Sequence, residues 1–309
     1  MINRFQQQFD CLGSKAFFTL TTENNQDYAD KIFEELKNRT INFENRFSRF
    51  KVDSELTYIN SHAGKKTNIS KQMKDILAKS KELAELTNNL FNPFILPTLQ
   101  KVGYMTSWTD NKISSPDFSD RKLHNASILE MGETWINIPK NSAIDLGGIG
   151  KGYLLDELAE YLDSKKLHGY WISLGGDIIC SGLNINNVPW EINIASSIQA
   201  DLLVDTILPK NIDKIAIATS GVTKRKGFHN NQNWHHIIDP MTNKPTNNNI
   251  LSVTVTANSA TNADVLAKVV LIDGVKLADS YINEGLLSSY FIQSLDNNAN
   301  LAIIKKEFK

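Results

Sequence analysis

The chain has 309 residues, of which 41% are hydrophobic and 22% are charged, and its formal net charge is -1. This composition is typical of a globular protein with one or two domains, and the near-neutral charge argues against binding to nucleic acid or to an anionic membrane. The sequence holds no run of eighteen apolar residues, so we expect no membrane insertion.

The amino-terminal segment and the two cysteines give a further expectation about location. Residues 1–11 lack the apolar segment of a secretory signal, and no apolar run precedes Cys11 as it would in a lipoprotein. Cys11 and Cys180 are too few for a disulfide framework and lack zinc-site spacing. We therefore expect a cytoplasmic protein with two incidental thiols.

The first half of the chain reads as one strand followed by helices and loops. Residues 16–21 predict a strand, and the apolar spacing of residues 25–46 predicts a long helix. A short helix should then begin at Asp53 or Ser54, and Ser70 should cap a helix that runs to about Thr87. Two prolines within residues 91–99 predict an ordered loop, and the polar residues 106–122 predict a surface loop.

The second half predicts alternating strands and helices. The predicted helices cover residues 154–162 and 263–272, with Gly274 ending the second one. The predicted strands are residues 135–138, 169–180, 190–194, 214–219 and 250–256, with a closing hairpin at 290–293 and 301–304. Because no repeat or linker interrupts this order, we expect one integrated α/β unit over residues 1–309, in one lobe or two.

A glycine-rich turn between a strand end and a helix is the first candidate for chemistry. Four glycines lie within residues 147–152, and Lys151 falls in the first turn of the following helix. Glycines let a ligand approach the backbone, and free N–H groups at a helix start bind anions. The alternative is a tight turn with a solvated lysine, since neither the G-x-x-x-x-G-K-[ST] nor the G-x-G-x-x-G fingerprint is present.

Three further polar stretches interrupt the apolar pattern. Gly175-Gly176-Asp177 ends a strand, and Thr219-Ser220-Gly221 is followed by His235 to Pro240. A Ser-His-Asp hydrolase is disfavoured because Thr-Ser-Gly is not a G-x-S-x-G elbow. Asp264 begins a helix and is spaced for an i,i+4 ion pair with Lys268, although Mg²⁺ with phosphate oxygens would also suit this carboxylate.

Together these stretches resemble the ApbE family of FAD:protein FMN transferases, in order and over nearly the whole chain. Asp145-Leu146-Gly147-Gly148-Ile149-Gly150-Lys151-Gly152 is similar to the family's Asp-Leu-Gly-Gly-Ile-Ala-Lys-Gly. Further motifs match in the same order: Leu12-Gly13-Ser14, Phe47-Ser48-Arg49-Phe50, Phe91-Asn92-Pro93, Val102-Gly103-Tyr104, Leu174-Gly175-Gly176-Asp177, Thr219-Ser220-Gly221, His236-Ile237-Ile238-Asp239-Pro240 and Ala263-Asp264-Val265-Leu266-Ala267.

The resemblance implies an α+β, ApbE-like (T-fold-like) architecture and a Mg²⁺-dependent transferase. Such an enzyme cleaves FAD, joins FMN through its phosphate to a threonine or serine of a target flavoprotein, and releases AMP. The implied FAD contacts are Leu12, Phe50, Gly103, Tyr104, Asp145, Lys151 and Ile237. The implied metal site combines the Gly148 carbonyl, Asp264 and the Ala267 carbonyl, with Lys268 at the fourth position. Lys151 would offset pyrophosphate charge, and His236 or Asp264 would accept the proton of the attacking hydroxyl.

Lys268 is the main departure from the family's motif, which has a threonine at this position. A protonated lysine cannot ligate a cation and repels one. The lysine either points away, replaces the charge of the metal, or marks an FAD-binding protein with little transferase activity. Hydrolysis of FAD by a pyrophosphatase reaction is a further alternative, and the sequence is compatible with both a monomer and a homodimer.

Overall fold

The computed structural model describes residues 1–107, 113–199, 201–209 and 213–307, so residues 108–112 of the predicted loop 106–122 lie outside it. The chain divides into two compact units. Unit 1 comprises Met1–Asn42, Lys151–Gly221 and Asn249–Lys309, and unit 2 comprises Phe43–Gly150 and Val222–Asn248. A single domain over residues 1–309 stays a prediction.

The elements are numbered here in chain order. The strands of the described residues are β1 (Asn3–Cys11), β2 (Ser14–Thr22), β3 (Thr67–Asn68), β4 (Glu130–Met131), β5 (Trp135–Asn137), β6 (Gly169–Leu174), β7 (Asp177–Gly182), β8 (Ile192–Ala195), β9 (Leu203–Ile207), β10 (Ile215–Gly221), β11 (Lys226–His229), β12 (Gln232–His235), β13 (Ile238–Asp239), β14 (Lys244–Pro245), β15 (Ile250–Ala257), β16 (Ser289–Leu295) and β17 (Leu301–Glu307). The α-helices are α1 (Gln26–Phe47), α2 (Glu55–Ser61), α3 (Lys71–Leu86), α4 (Leu96–Lys101), α5 (Gly150–Asp163), α6 (Ala260–Asp273) and α7 (Val275–Asn283).

Local signals fix the helix ends that the sequence predicted. Ser54 caps α2 by accepting the N–H of Thr57, which decides between Asp53 and Ser54. Ser70 likewise caps α3 by accepting the N–H of Met73. Gly274 has a φ of 100°, which favours glycine, and it ends α6 as predicted.

Several segments differ from the sequence prediction, which did not include the short strands β3, β4, β9 and β11 to β14. Strand β1 was not expected, because its run of glutamines is a weak strand signal, yet its side chains alternate in exposure along a sheet edge. Residues 91–99 form no plain loop: Pro93–Ile95 is a 3-10 turn that leads into α4. The stretch 169–180 is two strands, β6 and β7, joined at Gly175-Gly176, and α7 is an additional helix.

Unit 1 is built on an antiparallel sheet of eight described strands in the order β1-β2-β6-β7-β10-β15-β16-β17. Helix α6 packs on β10 and β15, and its apolar residues Val265 and Val269 are fully buried. The start of α6 is also tied to α5, because the Asp156 carboxylate accepts the N–H groups of Ala260 and Thr261 at 2.8 and 2.9 Å. The helices and antiparallel sheet confirm the predicted α+β class.

Unit 2 contains helices α2, α3 and α4 and three small sheets, β3-β5-β4, β11-β12 and β13-β14. The side chain of Asn60, buried in α2, bonds both the N–H and the carbonyl of Ile144, at 2.7 and 2.8 Å. These two hydrogen bonds hold in place the chain segment immediately before the glycine-rich turn. Within the described residues, every helix is too short or too polar to cross a membrane.

Candidate active site

Two buried aspartates and two partly buried lysines of unit 1 form what we call the lysine–carboxylate cluster: Lys151, Asp177, Asp264 and Lys268. Lys151 pairs with Asp177, and its Nζ lies 3.6 Å from Asp264 Oδ1. Lys268 pairs with the same Oδ1, so the predicted i,i+4 ion pair is confirmed. The two carboxylate side chains are 2% and 1% exposed, and the two lysines are 18% and 17% exposed. The cluster therefore balances two positive and two negative charges with little water.

Backbone groups hold both carboxylates in place. The second oxygen of Asp264 accepts the N–H of Gly152 at 3.0 Å, and Asp177 Oδ1 accepts the N–H of Thr219 at 3.1 Å. A Cβ on Gly152 would lie 2.3 Å from the carbonyl oxygen of Ala260, so only glycine allows this approach of α5 to α6. The close packing of Gly152 on Ala260 therefore fixes the position of Lys151 in the first turn of α5.

The turn at Leu12 lies beside the Gly175 turn in unit 1. Leu12 has a φ of 51°, and the N–H of Gly175 donates to the carbonyl of Lys15 at 2.9 Å. A Cβ on Gly175 would meet Ser14 Oγ at 2.7 Å and the Lys151 side chain at 3.6 Å. The motifs around Leu12, Lys151 and Asp177 are therefore neighbours in space, as the common site of the resemblance requires.

Burial and the neighbouring opposite charges shift the pKa of each of Asp177, Asp264 and Lys268 in opposite directions. Burial alone would raise the pKa of Asp264, but the ammonium groups of Lys151 and Lys268 lower that pKa below its ordinary value. Burial raises the pKa of Asp177, and the attraction of Lys151 only partly offsets the rise. Burial also lowers the pKa of Lys268, against the pull of Asp264. The two lysines therefore favour the charged form of Asp264 more strongly than that of Asp177.

Within unit 1, both oxygens of the Asp264 carboxylate are already engaged by other groups of the protein. They accept hydrogen from Lys268 and from Gly152, and Ala267 is fully buried inside α6. Gly148 belongs to unit 2 and is half-buried. The described residues contain no group of three or more His, Cys, Asp or Glu placed to hold a metal. An ammonium about 4 Å from a divalent ion repels it by about 8 kcal/mol at a surface-like dielectric constant.

Unit 2 holds a second cluster, in which Arg49 packs against the rings of Phe50 and Tyr104. The Arg49 guanidinium is 4.3 Å from the ring centre of Phe50 and 4.6 Å from that of Tyr104. It pairs with Asp145 at 2.9 Å and donates to the carbonyl of Tyr104 at 3.0 Å. Trp234 stacks on Tyr104 with ring centres 5.7 Å apart. We call these five residues the arginine–aromatic cluster, and their flat faces suit a fused ring system.

Gly103, His236 and Ile237 surround this cluster within unit 2. Gly103 has a φ of 110°, and a Cβ there would lie 2.7 Å from His229 and 2.9 Å from Trp234 Nε1. His236 meets Tyr104 edge to face at 6.3 Å, and its Nδ1 lies 3.3 Å from the carbonyl of Arg225. Because a carbonyl can only accept, this contact requires the proton on Nδ1. Ile237 is buried directly after it.

The glycine-rich turn uses its own N–H groups differently from the predicted anion cradle. The N–H of Gly147 donates to Asp145 Oδ1 at 2.8 Å, and those of Ile149 and Gly150 donate to the carbonyl of Leu146. With Gly152 bonded to Asp264, these donors are occupied inside the protein. The side chain of Lys151, confirmed in the first turn of α5, is therefore the main cationic group that this motif offers.

The comparison with known proteins now decides the family. The model of the ApbE family matches residues 13–291. The chain belongs to the ApbE family. The FAD:protein FMN transferase of Vibrio cholerae serotype O1 is 30% identical over 268 residues, which cover 83% of this chain and 74% of that protein. The FAD:protein FMN transferase of Haemophilus influenzae is 24% identical over 289 residues, covering 87% and 80%.

Solved ApbE structures share the fold. The flavin transferase ApbE from Vibrio cholerae superposes with a TM-score of 0.81 at 23% identity, covering 100% of this chain and 98% of that one. The ApbE protein from Thermotoga maritima gives a TM-score of 0.79 at 21% identity, covering 97% and 96%. The predicted ApbE-like architecture is confirmed.

Three residues of this ApbE protein's clusters were not among the predicted site residues. Arg49 and Asp177 stand inside quoted motifs, where each is the charged partner of a predicted site residue. Trp234 directly precedes His235-His236, and an aromatic beside a motif histidine is the signal that would have suggested it. The contact of Trp234 with Tyr104 joins distant parts of the chain, so only the fold shows it.

Proposed function

We propose that this chain is an FAD:protein FMN transferase that modifies a threonine or serine of a target flavoprotein. The observation that carries the proposal is the lysine–carboxylate cluster at the start of α5, in a member of a family whose relatives bear this activity by name. The arginine–aromatic cluster of unit 2 supplies the second requirement, a surface for a flat aromatic ligand.

The flavin is assigned to unit 2. Phe50 and Tyr104 offer ring faces, Gly103 and Ile237 shape the surrounding wall, and Asp145 holds Arg49 between the rings. Stacking on rings that are already rigid costs less conformational entropy, and the buried ion pair of Arg49 with Asp145 supplies that rigidity. Leu12, in unit 1, stays a proposed FAD contact through its motif.

Lys151 is assigned to the FAD pyrophosphate. Its ammonium has three N–H donors, so it can keep Asp177 as a partner while donating to a phosphate oxygen. Charge that develops on the pyrophosphate during cleavage would be stabilised by a cation already held in place, without reorganisation in the reaction. Asp177 is then a positioning residue for Lys151.

His236 is the better candidate for the general base. In the proposed step the acceptor hydroxyl oxygen bonds to the phosphorus of the FMN half, the bond from that phosphorus to the bridging oxygen breaks, and AMP leaves. His236 Nε2 would take the hydroxyl proton, since Nδ1 is held by the carbonyl of Arg225. Asp264 is less suited because both of its oxygens already accept hydrogen.

Mg²⁺ dependence remains a prediction of the resemblance and is separate from the transfer itself. When bound, Mg²⁺ would supply Lewis-acid charge stabilisation at the pyrophosphate. Asp264, Ala267 and Gly148 would have to hold it, and the pairing of Lys268 with Asp264 opposes that arrangement.

Intact-mass analysis tests the proposal. The protein is incubated with FAD and a purified flavoprotein acceptor that carries no flavin, with and without Mg²⁺. We expect an FMN phosphoester on a threonine or serine and an equal amount of AMP. FMN and AMP without an adduct would instead indicate hydrolysis, and the absence of both products on every acceptor would refute the transferase.

A pair of histidine variants tests the role of His236. His236→Asn should slow FAD cleavage by about 100-fold or more, because a positioned base typically contributes that much. His62→Asn is the matched control, since His62 is another histidine of unit 2 that packs on Tyr58 at 4.0 Å. Equal rates for the two variants would remove His236 from the mechanism.

A further inference from the structure

The Lys268 ammonium donates hydrogen bonds to two oxygen atoms of Asp264. Lys268 lies one helical turn after Asp264 on α6, and its Nζ bonds the Asp264 carboxylate and, at 2.8 Å, the Asp264 main-chain carbonyl. A carboxylate and a carbonyl are the oxygen ligands that hard cations such as Mg²⁺ use in proteins. The ammonium therefore occupies the carboxylate oxygen that a cation at Asp264 would need, and the adjacent carbonyl keeps it there.

The charges of the two lysines and two aspartates around Asp264 sum to zero without another cation. Lys151 lies 3.6 Å from the same carboxylate oxygen, and Asp177 offsets the charge of Lys151. The remaining oxygen of Asp264 accepts the N–H of Gly152. A divalent ion would add two positive charges to a neutral, buried set, and it would have to displace Lys268 to reach the carboxylate.

We infer that the Lys268 ammonium takes the place of a divalent metal ion at Asp264, so that this chain binds and cleaves FAD without one. The inference rests on the proposed function and specifies its cation. Two donors of the ammonium bind Asp264, and the third would donate to a pyrophosphate oxygen of FAD. A fixed lysine would then supply the positive charge that the family motif otherwise assigns to a metal.

Direct binding of Mn²⁺, followed by electron paramagnetic resonance, tests the inference without any turnover. Three purified proteins are titrated: the natural chain, Lys268→Thr and Lys71→Thr. Lys71 is the matched control, because it forms an i,i+4 ion pair with Asp75 on α3 but its side chain is 88% exposed. We expect Lys268→Thr to bind Mn²⁺ roughly 10-fold or more tightly than the other two, since the repelling charge is gone and a hydroxyl replaces it.

Chelation gives a second measurement on the unaltered protein. FAD binding and cleavage by the natural chain should change less than about twofold in excess EDTA, because the required charge is covalently attached. Lys268→Thr should lose cleavage in EDTA and regain it with Mg²⁺. The EDTA measurement on the natural chain decides the question even where Lys268→Thr fails to fold.

Two results would overturn the inference. One is Mn²⁺ binding by the natural chain as tight as that of Lys268→Thr, and the other is natural-chain cleavage that EDTA abolishes and Mg²⁺ restores. Failure of the proposed function looks different, because then no FAD cleavage occurs under any condition. In that case the Mn²⁺ titration still reports whether Lys268 excludes the ion.

Discussion

Replacing Gly152 by alanine is the sharpest test of how α5 is held against α6. A Cβ at this position would lie 2.3 Å from the Ala260 oxygen, 2.7 Å from its carbon and 2.8 Å from Asp264 Cβ. Ordinary contact begins at 3.4 Å, and two of the three atoms are backbone, so neither rotates away. The helices must separate by about 1 Å, which is enough to break a well-packed contact.

The expected change in the free energy of unfolding combines two destabilising effects and one stabilising effect. Overpacking of a tight interface costs about 1–3 kcal/mol. Separation also stretches the bond from the Gly152 N–H to the Asp264 carboxylate, and a bond to a charged group contributes about 1.5–3 kcal/mol. Alanine regains about 1 kcal/mol of helix propensity. The net destabilisation is about 1.5–5 kcal/mol, or a fall in Tm of roughly 2–8 °C for a chain of this length.

Gly150→Ala is the control, from the same helical turn. Its Cβ would meet only the Phe43 ring, at 3.5 and 3.7 Å, which is ordinary contact. The family motif also has alanine at this position. Thermal unfolding of both variants, with near-ultraviolet circular dichroism, should show Gly150→Ala at or above the natural Tm. Equal Tm values for the two variants would refute the argument from close packing.

Three further predictions concern unit 2. Burial lowers the pKa of His235 below 6.5, so its contribution to stability is present above pH 6.5 and is lost as pH falls through the folded-state pKa. His235→Gln should therefore flatten the fall in unfolding free energy below pH 6.5, a slope of at most about 1.4 kcal/mol per pH unit, and an unchanged slope in urea melts would contradict this. Arg49→Lys should weaken FAD binding about 10-fold or more in a fluorescence titration, because lysine cannot keep the planar stack and the Asp145 pair together. Trp234→Ala should weaken FAD binding by roughly 3- to 10-fold while Trp234→Phe keeps most of it, and equal losses would show that stacking on Tyr104 is not used.

Elements governed by neighbouring residues could be predicted from the sequence. The caps of α2, α3 and α6 depend on Ser54, Ser70 and Gly274, whose effects reach only one helical turn. Strand β1 escaped prediction because its glutamines carry no strand preference, and pairing with β2 stabilises it instead. Antiparallel pairing of distant strands likewise has no local signal.

The sequence predicted several residues of the site but not the hydrogen bonds and ion pairs that join them. The ordered motifs identified Lys151, Asp264 and the i,i+4 partner Lys268, because the motifs are contiguous in sequence. That the N–H groups of the glycine-rich turn serve Asp145, Leu146 and Asp264 depends on tertiary contacts. Periodicity and spacing carry no information about those partners.

The same spacing of lysine and aspartate has different consequences at two places in this chain. Lys71 and Asp75 form an exposed pair, which water screens and which contributes about 0–1 kcal/mol. The side chains of Asp264 and Lys268 are only 1% and 17% exposed, so removal of Asp264 would leave two partly buried lysines with one carboxylate, Asp177, at a cost of about 3–5 kcal/mol. Packing alone would favour an apolar side chain at position 268, because burial of an ammonium is costly. A lysine at this position is explained by the need for a fixed positive charge at Asp264, beside the lysine that opens α5.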